Sequence, residues 1–272
     1  MSLAVDPRAV ESLLAFWADA GVDTTYADAP IDRLAEGAAL LRAKSQPATV
    51  TPAPRPVLVS NSSPDVSAAI LQARAAAAAC HDLDALAAAI TAFEGCPLKG
   101  QGARQAIFSR GPGNAPLMII GEGPGTDEEA QGAPFMGQAG QLLDRMLKAA
   151  GLADRAFITN TVFWRPPGNR TPTPQEQAVC APFLERAIAL VQPRMLLLIG
   201  GASAKAMLKR DEGILALRGR WLEWTAADGT TELPALPTLH PAFLLRQPAA
   251  KKKAWQDLLT LTERLDRPER PH

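Results

Sequence analysis

From residue 117 onward, four short apolar runs alternate with helix-forming stretches, and this alternation constrains the fold more than any other feature. The runs are LMIIGE (117–122), AFITNTVF (156–163), RMLLLIGG (194–201) and LPALPTLH (233–240). Runs of this length that stay apolar without alternating fit strands buried on both faces, as in a parallel sheet. Helical patterns at 137–150, 174–191 and 202–209 separate them, and two more helices close the chain. Strands joined through single helices require crossover connections and a mainly parallel sheet. The expected fold is α/β: a three-layer α/β/α sandwich with a central, mainly parallel four-stranded sheet. Ligands of such sheets bind at the carboxyl ends of the strands, where the chemistry-bearing motifs fall.

Upstream, the pattern differs. Residues 7–44 suggest two short amphipathic helices, and 46–57 (QPATVTPAPRPV) is a Pro-rich spacer that excludes helix and central strand. An Ala-rich segment, 65–93, has helical periodicity and propensity. The expected organisation is a helical N-terminal extension (1–45), a linker (46–58) and a domain over 59–272, with its motifs in 90–265. The net charge is zero, but residues 1–89 carry 6 basic and 10 acidic side chains, and 90–272 carry 22 and 18. A positive surplus on the motif-bearing part is compatible with phosphate contacts. Three cysteines are too few for a disulfide framework. No run reaches the ~20 apolar residues of a membrane helix, and MSLAVDPRAVESLL lacks the basic start of a signal peptide. A cytoplasmic, monomeric protein without membrane contact is expected.

Three segments carry candidate chemistry. GEGPG (121–125) opens GEGPGTDEEAQGAPFMGQAGQLLD, where three glycines after a strand let backbone approach a ligand closely. A phosphate loop would end in Gly-Lys-Ser/Thr, and a dinucleotide fingerprint would have Gly where Thr126 stands; both fail. In isolation the loop reads as a tight strand-to-helix turn. ITNTVFWRPPGNR (158–170) places Asn160, whose amide both donates and accepts, at a strand end. Its rigid Pro-Pro-Gly-Asn loop lies between Arg165 and Arg170, either of which could meet a phosphate. LHPAFLLRQP (239–248) puts His240 at the sheet mouth with Pro241 at the first helical position. The other two histidines, His81 and His272, lie outside the motifs. Phe243, Leu244 and Leu245 read as core or as a protruding apolar wedge.

Taken together and in order, these segments resemble the uracil-DNA glycosylase superfamily, most closely its family 4, usually an iron–sulfur branch. The resemblance spans about residues 90–265 and includes GEGPG, PFMGQAGQLLD, ITN, RPPGNR, E-x-x-x-C, LRGRW (217–221) and HPAFLLR. It implies hydrolysis of the N-glycosidic bond of uracil, flipped out of single- or double-stranded DNA, as the first step of base excision repair. By resemblance, Phe135 stacks on the uracil and the Asn160 amide pairs with its O4/N3 edge, with Gly121, Gly123 and Gly125 lining the site. Gly125 stands where another branch has a bulky side chain that blocks the methyl of thymine. His240 would donate to uracil O2. Glu122 would stabilise the sugar cation or orient water, since Gly123 replaces the activating Asp of some relatives; Glu128 is a weaker candidate. Leu244, Leu245 and Arg246 resemble the segment that enters the duplex, with Arg165 and Arg170 as further DNA contacts.

The chain departs from that branch at the cluster. A [4Fe–4S] cluster there needs four thiolates, but the corresponding positions hold Phe93, Cys96, Trp164 and Cys180. No cofactor is therefore expected, with Phe93 and Trp164 filling the vacated volume. The alternative to a glycosylase is a uracil- or deaminated-base-binding protein of the same fold with weak or altered activity.

Overall fold

The computed structural model describes residues 66–267. The expected N-terminal helices and the Pro-rich linker lie outside the described residues. Elements follow in the order α1 (Val66–Ala78), α2 (Leu83–Ala92), α3 (Pro97–Gly100), β1 (Ser109–Arg110), β2 (Leu117–Gly121), α4 (Thr126–Gln131) and α5 (Gln138–Ala149). Then come β3 (Ala156–Asn160), α6 (Pro174–Val191), β4 (Met195–Ile199), α7 (Gly200–Leu208) and α8 (Ile214–Leu217). The last are β5 (Leu222–Thr225), β6 (Glu232–Thr238), α9 (Pro241–Arg246) and α10 (Lys251–Asp266).

The sheet runs in the order β1-β3-β2-β4-β6-β5. Its centre, β3-β2-β4-β6, is parallel throughout and corresponds to the four apolar runs of the sequence. The expected four-stranded sheet is corrected to six by antiparallel edges, β1 on β3 and β5 on β6. These edges are too short to show as strands in the sequence: β1 is two residues long, and β5 has four, half-buried Leu222 and buried Trp224 alternating with exposed Glu223 and Thr225.

Alternate residues of the central strands feed two cores, which makes the architecture three-layered. On one face Met118, Ile120, Leu196 and Leu198 pack with Phe183 and Leu184 of α6 and with α1 and α2. On the other, Leu117, Ile119, Leu197 and Ile199 meet Leu143 and Leu147 of α5 and Leu258, Leu261 and Leu265 of α10.

Local chemistry sets the helix ends. The 65–93 segment divides into α1 and α2 because Asp82 caps α2, accepting from the Ala85 N–H at 2.7 Å, while Arg186 holds the Cys80 carbonyl at 2.6 and 2.9 Å. Helix α6 starts with a reciprocal box in which Thr173 Oγ1 accepts from the Glu176 N–H and Glu176 accepts from the Thr173 N–H. The second run leaves the ladder after Asn160, the end of β3. Thr161 instead donates its N–H to the Gly121 carbonyl and its hydroxyl to the Glu122 carbonyl, tying two strand ends together.

Candidate active site

A cleft of about 710 Å³ opens at the carboxyl ends of the parallel strands, a size suited to one small ligand. Glu122, Gly123 and Gly125 come from the loop after β2, Phe135 and Gln138 from the chain entering α5, Asn160 from the end of β3, and His240 and Arg246 from the chain after β6. Register explains the first convergence: Gly121 and Asn160 are paired partners on adjacent parallel strands. A Cβ on Gly121 would run into both the Asn160 Oδ1 and the Phe135 ring. Glycine here lets the two side chains close on the strand end.

Asn160 is nearly buried, yet no hydrogen bond to its amide is recorded among the described residues. No buried side-chain polar atom there lacks a partner either, so this amide faces the cleft. A donor–acceptor pair held on the cleft wall can read the edge of a planar amide-bearing ring. Phe135 takes a left-handed backbone conformation (φ 57°) and lays its ring 5.9 Å from that of His240, the planes 27° apart. The strained turn is accommodated at Gly140, where a Cβ would collide with the Phe135 carbonyl.

His240 caps α9: its Nδ1 accepts the Ala242 N–H at 3.1 Å. The proton of the neutral ring therefore sits on Nε2, free to donate. Burial, reinforced by the positive charge of Arg246, lowers its pKa to about 4, so the ring is neutral at physiological pH. Beneath it, Thr238 donates to Asp257 at 2.7 Å, and Arg218 of the LRGRW motif also holds that carboxylate. Asp257 is itself pushed upward by burial. This network fixes the end of β6 to α10.

The Glu122 carboxylate is half-buried on the cleft wall, with no side-chain hydrogen bond recorded among the described residues. Glu128 contrasts with it. Its two oxygens accept the N–H groups of Gly125 (3.0 Å), Met136 (3.1 Å) and Gly137 (3.3 Å), clamping the glycine loop to the loop that bears Phe135. It is a positioning residue.

Other expected residues are placed differently. Leu244 is fully buried with Leu142, Leu239 and Ala254, so it is no protruding wedge. The helical period of α9 turns Pro241 and Leu244 inward together and leaves Leu245 and Arg246 exposed. Arg165 donates to Glu129 at 3.1 Å and to Asn169 at 2.7 Å. Arg170 grips both oxygens of Glu176, at 2.7 and 2.9 Å. The two arginines thus brace the Pro-Pro-Gly-Asn loop, and these bonds hold Glu129 and Glu176 below the usual carboxylate range, Glu129 chiefly through the Arg104 N–H. Sequence reading passed over Gln138, Thr171, Pro172 and Phe243 as cleft residues. Their signal was adjacency, since each lies inside or directly beside a quoted motif.

Away from the cleft, the four positions corresponding to the family's cluster ligands are closed by packing. Phe93 stands edge-on to Phe183 at 5.1 Å, and Trp164 is buried beside Phe163. Cys96 and Cys180 bring their sulfurs to 3.9 Å; burial holds the Cys180 thiol well above its usual range, and its hydrogen bond lowers Cys96. Among the described residues no three His, Cys, Asp or Glu side chains are grouped to hold a metal. Two thiols and two aromatic rings do not fit a four-thiolate cluster.

Comparison with known proteins agrees with this geometry. Residues 108–259 match the family described as the uracil DNA glycosylase superfamily. A type-4 uracil-DNA glycosylase of Pyrobaculum aerophilum is 37% identical over 182 residues, covering 65% of this chain and 91% of that protein. That of Sulfurisphaera tokodaii is 35% identical over 171 residues, 61% of this chain and 77% of its own. That of Thermotoga maritima is 36% identical over 132 residues, 48% and 66% respectively. The matched span runs from the first edge strand to the last helix and contains Glu122, Phe135, Asn160 and His240; the chain belongs to the uracil DNA glycosylase superfamily.

Proposed function

We propose that the protein is a uracil-DNA glycosylase that hydrolyses the N-glycosidic bond of an extruded deoxyuridine. The observation that carries this reading is the pairing, in one cleft, of an inward-facing Asn160 amide with a neutral His240 whose Nε2–H is free. Asn160 would donate to uracil O4 and accept N3–H. Cytosine reverses both groups, and each unsatisfied buried group costs about 1–3 kcal/mol. Phe135 stacks on the ring, a contact worth about 1–3 kcal/mol.

As the bond from C1′ to N1 breaks, its electron pair leaves with the base, and negative charge gathers on uracil O2. The Nε2–H of His240 stabilises that charge without first losing or gaining a proton. The Glu122 carboxylate, uncommitted within the protein, faces the developing sugar cation or orients the water that adds at C1′. The proton released by the water ends on the uracil anion. A carboxylate left free beside the ligand cleft favours an enzyme over a mere binding module of this fold.

The same reading places the working unit in 59–272, acting as a monomer in the cytoplasm on single- or double-stranded DNA, without an iron–sulfur cluster. Among the described residues no helix is long and apolar enough to cross a membrane. The test is excision from a labelled oligonucleotide carrying one uracil, unpaired or opposite G or A, with Glu122→Ala and His240→Ala alongside. Cleavage that collapses in both variants supports the reading; wild-type protein that binds the uracil strand without cutting it refutes it.

A further inference from the structure

Helix α5 leaves the cleft with a marked stripe. Gln138 lines the cleft wall, and Leu142 and Met146, four and eight residues on, line a second, shallower hollow of about 290 Å³. That spacing keeps all three on one helix face, with the hollow roughly 6–12 Å beyond the cleft. Lys251, Lys252 and Trp255 of α10 close its other side. One apolar cluster backs both hollows: Leu142 and Met146 of the second and Phe243 of the cleft pack with Leu244 and Ala254. Trp255 is 36% exposed, and among the described residues no other large aromatic is as open. Lys251, Lys252 and Lys253 are exposed, with no acidic partner recorded there. Arg110, Arg165 and Arg170, in contrast, are each paired to a carboxylate. Arg218 donates to the Lys253 carbonyl at 2.7 Å and to Asp257, so the first turn of α10 is held in place.

We propose that this hollow is a second DNA subsite, in which Trp255 stacks on an unpaired base within about four nucleotides of the extruded uracil while Lys251 and Lys252 meet the adjoining phosphates. The inference rests on the DNA reading above. An aromatic platform beside unpaired lysines suits single-stranded DNA, since every base offers a π-face and every linkage a charge. At 3.4 Å per step along a strand, 12 Å corresponds to about four nucleotides, and fewer if the strand is stretched. Charge and continuity with the cleft favour nucleic acid over an apolar protein partner.

The experiment measures binding of the full-length chain to single-stranded oligodeoxythymidines carrying one uracil and zero to eight flanking nucleotides on either side. A uracil-free set runs in parallel. Affinity should rise as one flank reaches about four nucleotides, and Trp255→Ala should abolish that gain, about fivefold or more. Trp255→Phe should keep most of it, which separates stacking from damage to the fold. Abasic residues in the flank should reproduce the Trp255→Ala loss in the wild type. Replacing Lys251 and Lys252 by Gln should reduce the slope of log affinity against log salt by about 1.4. A flank-length gain that is absent in the wild type, or unchanged in the variants, overturns the subsite. Failure to excise uracil would sink the glycosylase reading alone, because the uracil-free set still reports on the hollow.

Discussion

The cleft at the strand ends and the corner formed by Phe93, Cys96, Trp164 and Cys180 have opposite characters. The cleft keeps polar atoms open: the Asn160 amide, the His240 Nε2–H and the Glu122 carboxylate all lack partners within the described protein. The corner closes its polar capacity, with aromatic rings meeting edge-on and two thiols turned toward each other. Open polar groups in a folded interior are costly, and they persist where a ligand completes them. Under the proposed reading, the difference teaches that a member of this superfamily keeps its chemistry at one end of the fold while packing fills the place of a structural cofactor elsewhere. The stability of the corner then rests on volume, not on ligation.

The comparison breaks first at Trp164. Its replacement by Ala should cost about 3–5 kcal/mol, read as a fall in the urea midpoint with unchanged slope. A loss below 1 kcal/mol would mean that the ring does not carry the corner. Next come the cleft variants. His240→Ala and Glu122→Ala should each lower the single-turnover excision rate by about 10²–10³-fold; Glu122→Ala should leave the urea midpoint near that of the wild type, and His240→Ala should lower it only by the lost α9 cap, about 1 kcal/mol. A fall in stability with the rate retained would make these residues structural.

The pH dependence is smaller and has a defined sign. The folded pKa of His240, about 4, lies below the ordinary value of 6.5, so between these limits the unfolded chain binds a proton that the folded chain does not. This contribution is flat above about pH 6.5 and falls as the pH drops toward 4, by up to about 3 kcal/mol. His240→Ala should flatten that part of the stability profile, and the acid limb of excision due to His240 should lie near pH 4; a limb near 6.5 would contradict the buried, neutral ring. The smallest effect is expected at Thr173→Ala, which removes the cap of α6 and should cost about 1 kcal/mol. A larger loss there would tie the cap to the Arg170–Glu176 brace and hence to the cleft loop.

What was legible in the sequence was what depends on neighbours in the chain. Continuous apolar runs gave the four parallel strands, and the helical pattern over 174–191 gave α6. The order of the motifs along those strands brought Glu122, Phe135, Asn160 and His240 to one end of the sheet. What escaped depends on contacts across the fold. The edge strands β1 and β5 are too short for periodicity to mark them. Leu244 read as either core or wedge until the α9 register turned it inward. Arg165 and Arg170 looked free for phosphate because their carboxylate partners come from structure formed elsewhere or in the next helix. Glu128 read as a possible catalyst, since its partners are backbone N–H groups that no side-chain pattern reveals.

The central claim is an intact uracil-reading cleft without a metal-bearing corner. It is tested most directly by assaying iron, acid-labile sulfide and uracil excision in one preparation of the full-length protein purified without oxygen. The account predicts excision from the uracil oligonucleotide with iron far below one atom per chain and no loss of rate on chelation. About four irons per chain, with excision that disappears as they are removed, would contradict it.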